Sequence, residues 1–402
     1  MILGHKIRLV PSPEQEAYFQ RACGTARFTY NWALAAWKRE YEAGNKPSGR
    51  SLKKDFNAIR KAQFPWTYEV HRDCTAGAFD HLQSAFQNFF RALKAGGKPG
   101  YPAFKKKGRS KDSFSIANDK LQLQEGRVRI PLLGWVKMRE ALRFEGEVLG
   151  AVVSRRAGQW TVAIQVEGGD LKKARVSEGV VGVDLGLRAS ATLSTGEVIT
   201  GPKALWRNLK RLRRLSRRHS RKERGSANGR KAALKLSRLH LRIANIRQDH
   251  LHKLSTRLVS ENQAVGIEDL HVKGMVRNRK LARAISDEGW SEFRRQLEYK
   301  AGLYDTQVVV HDRWLPSSKG CSSCGNVKAA LSLSERTYSC DVCGLVIDRD
   351  HNAALNLKPI ELPGGSGDVK PVEMGALVGQ TMTDETAVEE AGTGTGELSP
   401  CF

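Results

Sequence analysis

The chain has 402 residues, enough for two or three domains with their own cores, and a formal net charge of +25. That imbalance asks for a polyanionic partner, and nucleic acid is the commonest one. No apolar run approaches the roughly 18 residues of a membrane span, and MILGHKIRLVPSPEQ lacks a signal-peptide layout, so neither is expected.

Residues 2–10 (ILGHKIRLV) read as a strand, and Ser12-Pro13-Glu14-Gln15 as a helix start with Ser as N-cap. Helical periodicity runs to about residue 42, then over about 50–61 and 74–94. A basic loop follows from Gly96 to Phe114. From about 120 to 168 the pattern is strand-like, through LQLQEGRVRIPL, EVLGAVVSRR and QWTVAIQVE. A strand, a helical insertion and further strands suggest one β-barrel interrupted by helices.

A second domain begins near residue 178 with the strands of EGVVGVDLGLRASATLSTGEVIT. Two long helices are expected at about 203–221 and 229–260. Leu205, Leu209 and Leu212 form an apolar stripe on the first, and Leu236, Leu239, Ile243 and Ile246 on the second. The strand AVGIEDL, a helix near 289–304, the strand TQVVVHD, two CxxC pairs and a helix in HNAALNL complete the pattern. The tail from Pro359 is acidic and aperiodic and reads as disordered.

Cys321, Cys324, Cys340 and Cys343 are spaced as a structural zinc site: two turns each aim two thiolates at one point. Four thiolates leave no open position, so this zinc would not be catalytic. Cys23, Cys74 and Cys401 are isolated, a usage that fits a reducing cytoplasm and not a disulfide framework. Cys23 and Cys74 read as buried and inert.

Asp184 ends an apolar strand in GVDLGL, and Glu268 ends another in GIEDL. Asp348 and Asp350 stand at a helix entry in DRDHNAALNL. Such acids are often merely solvated, but carboxylates from different strand ends of one sheet can converge on hard cations. Phosphodiester cleavage by two Mg²⁺ or Mn²⁺ ions needs that arrangement.

The charge is uneven: residues 203–257 hold 19 Lys and Arg against two acids. Arg207, Lys210, Arg211, Arg214, Arg217, Arg218 and Arg221 recur at three- and four-residue steps, a ladder without acidic partners that suits phosphates. Lys105, Lys106, Lys107 and Arg109 form a second basic candidate. Tyr101, Phe104 and Phe114 are stacking or core residues, while Trp32, Phe89, Phe90 and Trp290 read as packing. His250 and His252, beside Asp249, read as a satisfied polar helix end.

The stretches RFTYNWAL, NFFR…GYPAFKKK, GVDLGL, NIRQDHLHKLS, GIEDL, NRKLARAISDEGW, PSSKGCSSCG and DRDHNAALNL occur in the order found in the TnpB family. From about residue 7 to 357 the chain resembles these transposon-encoded relatives of type V CRISPR effectors. The resemblance implies an α/β multidomain fold. A β-barrel wedge domain (1–11 and 119–170) would carry a helical recognition insertion (12–118), followed by an RNase H-like RuvC nuclease domain (176–358) with an inserted zinc ribbon (316–346).

It also implies Asp184, Glu268 and Asp350 as the catalytic triad, with Asp348 as the fallback. Mg²⁺ (or Mn²⁺), Zn²⁺ and a guide RNA from the transposon end would be the cofactors. Target double-stranded DNA, cut beside a short motif, would be the substrate, and the protein a monomer in the bacterial or archaeal cytoplasm, at the nucleoid. Motif reading is expected near residues 72–91 and 112–120. The alternatives are a strand-transfer transposase and a non-cleaving RNA-guided regulator.

Overall fold

The computed structural model describes residues 2–168, 173–332 and 334–359. The aperiodic tail beyond Pro359, with Cys401, lies outside them. No described helix is long and apolar enough to cross a membrane.

The first part is built on β1 (Ile2–Val10), α1 (Pro13–Glu42), α2 (Gly49–Gln63), α3 (Asp73–Lys94), β2 (Ser113–Ala117), β3 (Gln122–Gln124), β4 (Arg127–Ile130), β5 (Gly134–Met138), β6 (Glu147–Arg156) and β7 (Gln159–Glu167). The strands form one antiparallel sheet in the order β2-β6-β7-β1-β5-β4-β3. Alternate residues such as Ile7, Val128, Val136, Val162 and Ile164 turn inward and are fully buried.

The start of α1 lies over this sheet because Ser12 caps it. Ser12 Oγ accepts the Gln15 N–H at 3.2 Å, and Gln15 Oε1 accepts the Ser12 N–H at 3.0 Å. Tyr18, Phe19 and Ala22 then enter the sheet core, while later residues of α1 join a second core with α2 and α3. There Trp37 stacks on Phe86 at 4.0 Å between ring centroids, and Trp32 packs on Phe56 and Phe79.

The second part comprises β8 (Gly179–Asp184), β9 (Ala191–Leu193), β10 (Val198–Ile199), α4 (Ala204–Ser220), α5 (Ala227–Glu261), β11 (Asn262–Glu268), α6 (Val272–Met275), α7 (Ala282–Glu288), α8 (Trp290–Tyr304), β12 (Gln307–His311), β13 (Thr337–Ser339), β14 (Val346–Asp348) and α9 (Arg349–Asn356). Its main sheet runs β10-β9-β8-β11-β12, with β8, β11 and β12 parallel and β9 and β10 antiparallel.

The two faces of this sheet are covered differently. Val181, Val183, Val265 and Ile267 pack with Leu251, Leu258, Phe293 and Leu297 of α5 and α8. The alternate residues Gly182, Asp184, Gly266 and Glu268 therefore face the other way, the side on which α9 lies. Between the sheet halves, α4 and α5 form a hairpin around Ala204, Leu212, Leu215, Leu239 and Ile243. Asp287 secures its start, accepting the Leu205 N–H at 3.0 and 2.9 Å and pairing with Arg247 at 3.0 Å.

Candidate active site, metal centre and basic groove

Asp184 and Glu268 are the last residues of two neighbouring parallel strands whose register pairs Gly182 with Gly266 and Val183 with Ile267. Both acids thus leave the same sheet edge on the same face. Gly182 permits α9 to lie against that face: a Cβ there would sit 2.0 Å from the Ala354 carbonyl oxygen. From Ala354 back to Asp350 is four residues, about 6 Å of helix, and from Gly182 to Asp184 about 6.6 Å of strand. The first turn of α9 therefore brings Asp350 over Asp184.

Asp348 is engaged otherwise. It caps α9, with Oδ1 accepting the N–H groups of Asp350 and His351 at 2.9 and 3.1 Å. Asp350 carries no such duty. His351, which sequence reasoning passed over, meets the Ser194 carbonyl at 3.2 Å through Nε2 and fixes the helix start to the loop after β9.

Burial, with the nearby charges of Asp350 and Glu268, pushes the Asp184 carboxyl up to about 7. Burial, with the neighbouring Asp269, also raises Glu268. Asp269 points elsewhere, held by Arg294 at 2.5 Å and Arg313 at 2.6 Å, and its carboxyl is lowered by those hydrogen bonds. The oxygen donors suit a hard divalent cation. Among the described residues the four cysteines, and not the acids, form a group whose ligand atoms all lie within 4.8 Å of one another. Two ions about 4 Å apart, each with bonds of about 2.1 Å, bridge carboxylates up to about 8 Å apart.

The ribbon cysteines do converge. Cys321 and Cys343 sulfurs lie 3.6 Å apart, as do those of Cys324 and Cys340. A tetrahedral ion with bonds of about 2.3 Å requires about 3.8 Å, so the four fit zinc. The knuckles are matched: Gly325 (φ 74°) and Gly344 (φ 75°) follow the second cysteine of each pair and donate their N–H groups at 3.0 Å to the backbone carbonyls of Cys321 and Cys340. Backbone N–H groups of Cys343 and Val342 favour the thiolate of Cys340, while burial and the neighbouring cysteines push the Cys324 thiol up, so with no ion between them the four share their protons unequally.

The ribbon also grips α9. Asn352, fully buried, accepts the Ser322 N–H at 3.0 Å and donates to the Gly320 carbonyl at 2.7 Å. Asn356 donates to the carbonyls of Ser317 and Gly320 at 2.7 and 2.8 Å.

The arginine ladder of α4 is exposed along its length and divides in two. Arg211, Arg214 and Arg218 line a groove of about 450 Å³ against Lys235, Arg238 and Arg242 of α5. Arg207, Lys210, Arg217 and Arg221 do not line it. The α5 cations were not singled out from the sequence, although their i, i+3, i+7 spacing is a helical stripe. Lys106, Lys107 and Arg109 are exposed, but Lys105 folds back over the Tyr30 ring at 3.9 Å.

Phe114 is core, whereas Tyr101 and Phe104 are exposed. Phe90 departs from its expected packing role: it is 44% exposed at the rim of the helical core, touching Phe86 and Phe89. Trp290, Cys23 and Cys74 are buried, and burial raises both thiols. His250 and His252 lie within α5, not at its end, and His250 Nε2 meets Ser190 Oγ at 3.4 Å.

Family models described as "Probable transposase", "Cas12f1-like, TNB domain" and "Helix-turn-helix domain" match residues 161–279, 290–357 and 1–46. Over the last span the chain forms one strand and one continuous helix. A Streptomyces pristinaespiralis protein provisionally named RNA-guided DNA endonuclease is 40% identical over 360 residues, 88% of this chain and 87% of its own. The Escherichia coli K12 protein InsQ, with the same provisional name, is 34% identical over 370 residues, 88% and 90% of the two chains. The fold is similar to that of the protein in a Cas12f1-sgRNA-target DNA complex, with a TM-score of 0.53 at 15% identity over 87% of this chain and 83% of that one. Those similarities, spanning nearly the whole length of the curated relatives, establish that the chain belongs to the TnpB family.

Proposed function

We propose that the chain is a transposon-borne RNA-guided endonuclease that cuts double-stranded DNA beside a short motif, with Asp184, Glu268 and Asp350 as its catalytic carboxylates. The observation that carries this reading is the gathering of the three acids at one sheet edge, where burial, and after it the charges of Asp350 and Glu268, raise Asp184 to about 7. The names of the relatives and the basic groove support the RNA and DNA partners. The strand order β10-β9-β8-β11-β12, with its parallel half, supports an RNase H-like RuvC domain over residues 176–358. The antiparallel sheet and its helical insertion fill the wedge and recognition roles, over 1–11 with 119–170 and over 12–118.

Two Mg²⁺ (or Mn²⁺) ions, when bound, supply an activated water and stabilise the leaving oxygen. Asp184 and Glu268 offer oxygen ligands from rigid strand ends, and Asp350 offers a third from α9. The proton that burial keeps on Asp184 must leave as the acid becomes a ligand. The zinc ribbon at 316–346 holds α9, and with it Asp350, at the sheet edge. The protein acts as a monomer at the nucleoid.

The test is to express the chain with its genomic flank, sequence the copurifying RNA, and programme cleavage in Mg²⁺. Guided cleavage that disappears in Asp184→Ala is expected. The description of the central family model favours a second reading, strand transfer by the same acids. Joining of transposon ends by RNA-free protein would replace the first reading with the second.

A further inference from the structure

The end of β11, at Ile267 and Glu268, borders a second cavity on the α8 side of the sheet. Its volume is about 180 Å³, and its apolar floor is made by Leu185, Ile267, Leu270 and Trp290. Arg294 and Arg295 stand at its rim.

Three properties define what it accepts. A cavity of about 150 Å³ has room for a benzene ring. This one, apolar at its floor but polar at Glu268, Ser291, Arg294, Arg295 and Glu298, suits a single planar ring with polar edges. Both arginines are already neutralised, Arg294 by Asp269 and Glu298 and Arg295 by Glu292, so the rim is not an anion site. Finally, Glu268 and Leu185, the residue after Asp184, both line the cavity, so it lies at the strand ends where the reacting phosphodiester is proposed to lie, and the planar rings within reach of a phosphodiester are the bases of its own nucleotides.

We infer that this cavity holds the nucleobase of a nucleotide flanking the scissile phosphate, packed against Trp290 and its apolar neighbours. The inference rests on the endonuclease reading. A paired base cannot enter, so the strand being cut must present its base unpaired, and duplex at the cut site would be a poor substrate. Ser291 lies at the exposed rim, where a large side chain can occlude the cavity without disturbing the core.

The experiment uses the full ribonucleoprotein, obtained by co-expression with the genomic flank. In the Asp184→Asn chain, which holds DNA uncut, target strands carry 5-iodouracil at one position at a time across the cut site. Ultraviolet cross-linking should place adducts from one position on the α8 peptide containing Trp290 and Ser291, and Ser291→Phe should abolish them. In the otherwise native chain, an abasic nucleotide at that position should lower kcat/KM about tenfold. Ser291→Phe should lower it similarly, and the combination no further.

Adducts elsewhere, or additive losses, would overturn the cavity assignment. Absence of guided cleavage by the native chain would instead overturn the endonuclease reading, whereas guided cleavage without an α8 adduct would sink the cavity alone.

Discussion

Gly182 and Gly266 face each other across two parallel strands, and the end of α9 rests on both. Each stands two residues before an acid, Asp184 or Glu268. A Cβ at Gly266 would lie 1.8 Å from the Leu357 carbonyl oxygen, closer than any packing allows. The missing side chains are what let Asp350 reach the strand ends.

Gly182→Ala or Gly266→Ala should therefore lift α9 off the sheet. Overpacking of this kind costs about 1–3 kcal/mol or more. Thermal melting should show destabilisation, and cleavage should fall much further than guide binding. Gly4→Ala, where nothing lies within 4 Å, is the control and should change neither. Equal behaviour of the three variants would contradict the close approach.

The two aspartates before and in α9 should separate cleanly. Asp348→Ala removes a cap worth about 1 kcal/mol and should lower stability while leaving measurable cleavage. Asp350→Ala should abolish cleavage with little loss of stability. The reverse result would transfer the catalytic role to Asp348.

Asp184 gives the metal-free protein a pH signature. Its carboxyl is raised from 3.8 to about 7, so the folded chain disfavours its ionised form. The stability this group contributes is complete below about pH 4 and is lost as pH rises to about 7, a change of a few kcal/mol at most. Asp184→Asn should raise the melting temperature of metal-free protein above pH 7 and change little near pH 4. Mg²⁺ should stabilise the native chain, not the variant, and more strongly as pH passes 7. A pH-independent shift would show that the titration of a buried, crowded Asp184 is not the cause.

Zinc removal should act on cleavage through α9. Asn352 and Asn356 tie that helix to the ribbon backbone at Gly320. Cys340→Ser, or a strong chelator followed by Mg²⁺ alone, should reduce cleavage and loosen α9 in hydrogen exchange. Asn352→Ala, in a fully buried position, should reproduce the loosening with zinc still bound. Full activity of zinc-free protein in Mg²⁺ would contradict this coupling.

The groove between α4 and α5 should read out as salt dependence. Arg214→Glu and Arg238→Glu should weaken RNA binding comparably, each flattening the slope of log affinity against log salt by about 0.7–0.9 for every phosphate no longer neutralised. Arg207→Glu, on the part of the ladder outside the groove, should do less. If Arg207→Glu is the most damaging of the three, the strand lies on the other side of α4.

How much was legible in the residues depended on spacing and on apolar runs. The zinc ligands sit at fixed intervals in one short segment, so their convergence could be read directly. Asp184 and Glu268 end unmistakable apolar strands. The third acid could not be separated from its neighbour by pattern, because capping and ligation both call for an aspartate at a helix entry.

β2 was missed because SFSIA is five residues long and follows a basic loop. The cations of α5 were hidden because a stripe of three on a 35-residue helix resembles any solvated face. The cavity beside Glu268 gathers Leu185, Ile267 and Trp290 from three separate elements, and no local pattern carries that.

β1 lies in the interior of its sheet, between β7 and β5, so the first residues of the chain wait for residue 167 before that sheet is complete. Asp350 is made 183 residues later still. At about 5–20 residues per second, translation leaves an interval of roughly 10–40 seconds between the two events. During it the nascent polypeptide carries its first sheet without its last acid, and on the proposed endonuclease reading ribosome stalling or premature termination anywhere in that stretch yields a product that lacks Asp350 and is unable to cut.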